Sequence, residues 1–179
     1  MPRSRRSAHR QLGALLAVGA TVLMPLPLPA RGEADGPPQL LPLTARWCLR
    51  PQTCIALEVA ATLRQQTLGL QLRPPLPPLR GMWFPYAPPA VARFWMHRTP
   101  APLDMLFIRE GTVIAIERHA QPCMQLPCPS YGPDQPIDGV LELAAGQAEA
   151  LGIIVGTGVA IEPWTPGLSD ADRRAPAPD

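Results

Sequence analysis

Four side chains that could recognise a ligand lie close together in the chain, around a proline-containing turn. Trp95, His97 and Arg98 precede Pro100, and Asp104 follows it. An indole ring offers a flat apolar surface, while guanidinium and carboxylate groups hydrogen-bond hydroxyl or carboxylate groups. This combination is typical of a pocket for a small polar or sugar-like molecule.

Two further residues complete the predicted pocket. The ligand-binding residues that the sequence predicts are Trp95, His97, Arg98, Asp104, Arg73 and Tyr131. A hydrolase of the cell envelope is the alternative, in which Asp104 and His97 act as the catalytic pair. The sequence contains neither a Gly-rich phosphate loop nor a serine nucleophile elbow, and no catalytic residue is assigned.

Structural roles compete with these chemical ones. Asp104 can cap the turn that precedes it or pair with Arg98, and Glu142 can pair with Arg64 or Arg73. Ion pairs of this kind are common structural devices in proteins. We therefore favour binding over catalysis.

The four cysteines predict disulfide bonds, because this is their simplest use in an exported chain. The nearest-neighbour pairing joins Cys48 to Cys54 and Cys123 to Cys128, and four cysteines allow three connectivities. The second pair would staple a long irregular loop, residues 119–136.

Zinc is the alternative use of the same sulfur atoms. Cys123 and Cys128 lie close to His119 in the sequence, and His97 is a fourth possible ligand. The spacing matches no usual zinc module, and an oxidising compartment favours disulfides. No metal or other cofactor is predicted.

The N-terminus has the three-part order of a secretory signal peptide. Four arginines precede an apolar run over residues 12–24, and prolines and small residues follow it. The run is shorter than the about 20 residues that a membrane span needs, and a single uncleaved anchor is the alternative. Cleavage near Gly32-Glu33-Ala34 would remove residues 1–34. The mature protein is then expected to be periplasmic or secreted, with no stable membrane span.

Composition separates a globular domain from its flanks. Residues 35–46 are rich in Pro and Leu and predict a linker, and residues 163–179 form a Pro-rich, charged tail that can bury almost nothing. The domain between them, residues 47–162, is long enough to bury a core. Without the four N-terminal arginines, 12 of the 16 basic residues remain, against 14 acidic residues. No basic stripe therefore predicts a nucleic-acid partner.

Local patterns predict a mainly β (α+β) domain, with an antiparallel sheet or barrel-like core and one or two short helices. Residues 55–60 alternate as a half-buried strand, and Thr62 with Gln65 resembles a capping box for a short helix over residues 63–68. Residues 103–118 read as a β-hairpin that turns at Glu110-Gly111. Further predicted elements are strands at 81–85, 93–97, 139–143 and 153–162, a second short helix at 146–151, and a surface loop at 73–80.

Several short blocks of residues form a recognisable pattern between residues 57 and 162. The most specific blocks are Gly81-Met82, Phe94-Trp95-Met96, Pro102-Leu103-Asp104 and Leu141-Glu142-Leu143-Ala144-Ala145-Gly146. Together they resemble the domain of unknown function 192 (DUF192) family of small, often exported bacterial and archaeal domains. The resemblance implies a compact, mainly β fold with minor helix, and it implies no reaction, ligand or cofactor.

The chain departs from the pattern of that family at three places. Gln71 stands where Met is usual, Trp83 where Leu is usual, and His97-Arg98 where Lys-Asn is common. If that last pair contacts a ligand in relatives, this chain is expected to bind a different one.

The preferred function is an exported, non-catalytic binding or accessory module. Its expected partner is an unidentified small polar ligand or a component of the cell envelope. The envelope hydrolase and a small zinc-binding protein are the alternatives.

Overall fold

The computed structural model describes residues 36–167 of the chain. These residues lie within one structural unit, Glu33–Asp179. The predicted signal peptide, residues 1–34, lies outside the described residues, and so does the predicted tail beyond residue 167. No helix among the described residues is long and apolar enough to cross a membrane.

Nine strands and two short helices follow one another within residues 36–167. In chain order they are β1 (Leu43–Arg50), β2 (Thr53–Val59), α1 (Leu63–Leu68), β3 (Arg80–Ala90), β4 (Phe94–Trp95), β5 (Leu103–Arg109), β6 (Thr112–Ala120), β7 (Ser130–Tyr131), β8 (Ile137–Ala144), α2 (Gln147–Ala150) and β9 (Ile161–Pro163). The mainly β class with short helices is therefore confirmed.

Seven of the strands form one open, mixed sheet in the order β6-β5-β8-β3-β2-β1-β9. Neighbours are antiparallel except β2 and β3, which are parallel. Parallel neighbours need a crossover, and α1 with the proline-rich segment 69–79 supplies it. Strands β4 and β7 form a separate two-stranded ribbon.

The two central strands, β5 and β8, are buried on both faces. On one face the core contains Met82, Phe84, Met105, Phe107 and Val140. On the other face it contains Ile55, Leu57, Leu106, Leu141 and Leu143. Side chains alternate between the faces because a strand has a period of two. Strand β5 is the first strand of the hairpin that the sequence predicts over residues 103–118.

Two local predictions agree with the structure in detail. The hairpin is β5 and β6, and both turn residues, Glu110 and Gly111, have positive φ angles of 49° and 65°. Helix α1 has the expected capping box, since Thr62 Oγ1 accepts from Gln65 N at 3.2 Å and Gln65 Oε1 accepts from Thr62 N at 2.9 Å. The helix ends at Gly69, whose φ of +47° favours glycine.

Other elements differ from the expected ones. Strand β1 begins at Leu43, inside residues 35–46, because Ala45 and Trp47 alternate with polar residues and are buried. Strand β3 continues to Ala90, five residues beyond its expected end. Of the strand expected at 93–97, only β4 forms, and of the strand expected at 153–162, only β9 forms. Turns and irregular backbone occupy most of the other residues in these two ranges.

The four cysteines form two disulfides, in the nearest-neighbour pairing. Cys48 and Cys54 face each other across β1 and β2, and Cys123 and Cys128 close part of the loop between β6 and β7. No group of three or more His, Cys, Asp or Glu side chains in the described region could hold a metal ion. Bonded sulfurs are poor zinc ligands, so the structure gives the zinc alternative no support.

Counting reactive thiols tests the disulfide pairing directly. The purified protein, denatured without reductant, should show no reactive thiols, and the same protein should show four after reduction. Reduction should also lower the free energy of unfolding by about 2–3 kcal/mol, because small rings constrain the unfolded chain. Free thiols together with bound zinc in the unreduced protein would contradict the pairing.

Candidate functional site

Strand β8 carries a carboxyl group into the apolar interior. Glu142 is only 4% exposed, and its Cα partners on the flanking strands are Met82 and Met105. Both methionines are completely buried. Cross-strand partners present their side chains on the same face of the sheet. The carboxyl group therefore lies among apolar side chains.

A small cavity of about 30 Å³ lies beside this carboxyl group. Its wall comes from the last turn of α1 and the residues after it, from β3, from β4 and from β8. The lining residues are Gln66, Thr67, Leu68, Gly69, Leu70, Gln71, Phe84, Phe94, Trp95, Thr99 and Glu142. Trp95 is 48% exposed, so the cavity has one wall at the molecular surface. The volume admits a group of about one or two non-hydrogen atoms.

Three aromatic rings form the apolar part of the cavity wall. Phe84 and Phe94 meet edge to face, with ring centroids 5.1 Å apart, and the Trp95 indole follows Phe94 on β4. Phe94 also packs edge to face on Phe107 at 6.3 Å. These contacts hold β4 against the same face of the sheet that carries Glu142.

Hydrogen bonds from α1 and its flanks fix the other side of the cavity. Gln66 Nε2 donates to Pro85 O at 2.9 Å and ties α1 to β3. Leu72 N donates to Arg98 O at 2.8 Å and ties the following segment to the residues after β4. Gln39 Nε2 donates to two carbonyls near the end of α1, at 2.8 and 2.9 Å. The cavity thus has a fixed wall on each side.

Burial controls the electrostatics of the site. Loss of solvent raises the pKa of Glu142 to about 8, because burial penalises the charged form. The pKa of Tyr86 is raised as well, first by its own burial and then by the negative charge of Glu142. Among the described residues, no group donates a hydrogen bond to the Glu142 carboxyl and no cation pairs with it. The carboxyl group is therefore half protonated near pH 8.

Of the six predicted ligand-binding residues, the structure places one in the cavity wall, Trp95. The His97 ring lies against the Trp95 indole, tilted by 46°, with ring centroids 5.2 Å apart. The backbone of His97 and Arg98 runs beside the disulfide loop, where Arg98 N donates to Cys123 O at 2.9 Å. Tyr131 lies on β7 opposite Phe94.

Backbone hydrogen bonds hold Asp104 inside the fold. It is completely buried, and its two carboxylate oxygens accept hydrogen bonds of 3.0 Å from His119 N and Ala148 N. Among the described residues, backbone donors of β6 and α2 hold its oxygens, rather than the turn before it or Arg98. Along β5 it points to the opposite face from Phe107, against which β4 packs. Asp104 is therefore not the accessible carboxylate that the hydrolase alternative requires.

Arg73 also has a structural partner. Its guanidinium binds Glu58 through two hydrogen bonds of 2.7 and 2.8 Å, and Glu58 accepts a third from Leu41 N at 2.9 Å. The expected pairing of Arg73 with Glu142 is wrong, because the crossover after β2 brings Glu58 to the arginine instead. Arg73 therefore does not act as a counter-ion for Glu142.

Sequence reasoning missed the role of Glu142 and of the glutamines on and after α1. A signal for Glu142 was present, because a charged residue interrupts an apolar run on a strand that is buried on both faces. No sequence signal identified Gln66 and Gln71, since their role depends on how α1 packs over the sheet.

A second concavity, of about 540 Å³, lies between the proline-rich segment and α2. Its lining residues are Leu76, Pro78, Leu79, Ala144, Ala145, Gly146, Gln147, Ala150 and Leu151. None of them carries a titratable or nucleophilic group. This concavity therefore offers apolar contact and backbone groups.

Comparisons with known proteins agree with this architecture. The model of the DUF192 family, described as uncharacterized ACR, matches residues 48–161. A crystal structure from Sinorhizobium meliloti 1021, described as that of a candidate transcription regulator, is similar with a TM-score of 0.55 and 30% identity, over 66% of this chain and 91% of that one. A protein of unknown function from Novosphingobium aromaticivorans DSM 12444 is similar with a TM-score of 0.57 and 28% identity, over 72% and 94%. No curated protein matches the chain.

The two hydrogen bonds to Asp104 predict a structural defect on its removal. Asp104→Ala should lower the free energy of unfolding by on the order of 3 kcal/mol, because a buried N–H group of Ala148 and a partly buried one of His119 lose their acceptor. Asp104→Asn should have an intermediate effect, since one oxygen remains. Urea unfolding measures both, and Asp134→Ala, at an exposed position, is the control. A loss no larger than that of the control would show that the carboxylate does not hold the fold.

The raised pKa of Glu142 predicts that its ionisation opposes folding. The group titrates near 4.5 when unfolded and near 8 when folded, so its adverse effect is absent below pH 4.5, grows with pH and levels off above 8. Relative to the wild type, Glu142→Gln should gain on the order of 3 kcal/mol between pH 4.5 and pH 7. Unfolding free energies across this range measure the difference, with the exposed Glu149→Gln as control. A difference that does not change with pH would contradict the shift.

Proposed function

The chain belongs to the DUF192 family, and from that premise we propose that it is an exported, non-catalytic module that binds a small polar molecule in the cavity between Trp95 and Glu142. The observation that carries the proposal is a carboxyl group that is 4% exposed, has no hydrogen-bond partner among the described residues, and lines a cavity. Buried polar groups without partners are rare in folded proteins. A ligand that supplies the missing hydrogen bonds would account for a buried, unpaired carboxyl group at Glu142.

The chemistry of the wall favours binding over catalysis. A carboxyl group with a pKa of about 8 has the acidity of a general acid or base, yet catalysis requires further groups at the reacting atoms. Apart from Glu142, the lining residues offer amides, hydroxyls, apolar side chains and backbone. They include no second carboxylate, histidine, cysteine or serine. The arrangement is that of a recognition pocket.

Export is supported by two independent features. The N-terminal residues have the order of a secretory signal, and the two disulfides suit an oxidising compartment. A binding module outside the cytoplasm would meet small polar molecules directly, in the periplasm or the surrounding medium.

Binding at this cavity is tested by a thermal-shift screen with a matched pair of variants. The compounds are polyols and sugars, amino acids, alkylammonium ions and short carboxylates. We expect at least one class to raise Tm, and Trp95→Ala to weaken that binding at least tenfold by calorimetry because a wall of the cavity is lost.

The control for this experiment is Val91→Ala. Val91 is 56% exposed, similar to Trp95, but does not line the cavity. Its substitution should leave binding unchanged. Failure of every class to bind, or binding that survives Trp95→Ala unchanged, would contradict the proposed function.

A further inference from the structure

We propose that the ligand group that enters this cavity is a primary ammonium ion, with the Glu142 carboxylate as its counter-ion and the rings of Phe84, Phe94 and Trp95 around its carbon side. This inference rests on the proposed function, and it specifies the chemical class of the ligand. It is argued from the charge, the hydrogen-bonding groups, the rings and the size of the cavity.

Within the described part of the chain, the cavity wall offers an anion no positively charged partner. Glu142 is the one ionisable side chain among the described residues that line it, and no arginine or histidine does so. A carboxylate or phosphate ligand would face a carboxyl group without any cation to balance its charge. A cation, in contrast, supplies the partner that a buried carboxylate requires.

The neutral polar side chains of the wall all carry an oxygen that can accept a hydrogen bond. Each donates to a backbone carbonyl: Gln66 to Pro85 O at 2.9 Å, Thr67 to Leu63 O at 2.9 Å, Gln71 to Thr67 O at 2.8 Å and Thr99 to His97 O at 3.4 Å. Their side-chain oxygens remain able to accept, and each glutamine amide keeps a second N–H. A primary ammonium group has three donors and no acceptor, so it complements this set. A hydroxyl group brings only one donor.

The aromatic rings add a second attraction for a cation. Cations are drawn to the negative face of an aromatic ring, and the effect grows where water is excluded. Phe84 and Phe94 are held edge to face at 5.1 Å, so their planes are nearly perpendicular and offer differently oriented surfaces. Trp95, the strongest ring type for this interaction, forms the outer wall.

The size of the cavity limits the cation to a small one. A volume of about 30 Å³ accepts an NH₃⁺ group with its first carbon atom. A quaternary ammonium group with four carbon substituents is too bulky. The remainder of the ligand would extend past the exposed edge of Trp95.

Proton linkage gives the inference a distinctive pH dependence. The titratable group that interacts with Glu142 is Tyr86 on β3, while α1 and β4 present neutral residues to the cavity and β5 presents Met105. Below pH 8 the ammonium ion must displace the carboxyl proton, which leaves to solvent. Its affinity should therefore rise up to tenfold per pH unit from pH 6 to about 8. Affinity should then level off until the amine itself loses its proton, near pH 10.

The experiment uses four small probes and carbon-detected NMR of the Glu142 carboxyl carbon in the full mature chain. The probes are methylammonium, methanol as its neutral counterpart, formate as an anion, and tetramethylammonium as an oversized cation. Methylammonium should bind at least tenfold more tightly than the other three, and saturation should lower the pKa of Glu142 from about 8 towards its ordinary value. Glu142→Gln should lose methylammonium binding at least tenfold, and Glu149→Gln should keep it.

The outcomes separate this inference from the proposed function. If methanol or formate binds as tightly as methylammonium, and the binding depends on Trp95, the proposed binding site is supported and the ammonium assignment is wrong. Methylammonium binding that is retained in Glu142→Gln also overturns the assignment. If neither these probes nor the compounds of the wider screen bind, both proposals fail.

Discussion

The organisation of this protein depends on strand β8, which is hydrogen-bonded on both edges and covered on both faces. Its neighbours are β3 and β5. One core cluster contains buried residues from all three strands, and the other contains buried residues from β5 and β8, with the half-buried Trp83 of β3 packed against it. Water is therefore excluded from nearly every side chain in this part of the sheet. A polar group placed here must find a partner inside the protein or oppose folding. Two carboxyl groups lie in this region, Asp104 and Glu142, and of these two only Asp104 accepts hydrogen bonds from the described residues.

Asp104 and Glu142 lie on adjacent strands, but on opposite faces of the sheet. Asp104 accepts two backbone hydrogen bonds and so joins β6 and α2 to the central sheet. Glu142 has no such donors, and a cavity lies where they would be. The first carboxylate stabilises the fold through satisfied bonds. The second raises the free energy of the folded state as it ionises, because no donor among the described residues compensates its burial.

The sequence predicted what depends on neighbouring residues and missed what depends on distant ones. The capping box of α1 and the hairpin of β5 and β6 are encoded within a few positions, and both are present. The partner of Arg73 depends instead on the crossover that sets β2 beside β3, and alternation along one strand cannot reveal it. The cavity arises because α1 and β4 pack over the same face of the sheet. Only Trp95 among its lining residues was therefore predicted to bind a ligand.

The departures of this chain from its family pattern take on a different meaning once the cavity is known. His97-Arg98 does not line the cavity, so the change from Lys-Asn leaves its wall intact. Gln71, which replaces the usual Met, does line it, and its amide nitrogen donates to Thr67 O at 2.8 Å. The substitution exchanges a soft apolar group for an oxygen acceptor a short distance from a buried carboxyl. Acceptors without donors destabilise an empty site but stabilise an occupied one, because a ligand that binds only the folded state shifts the folding equilibrium towards it. The polar groups of this wall are those on which the proposed binding depends.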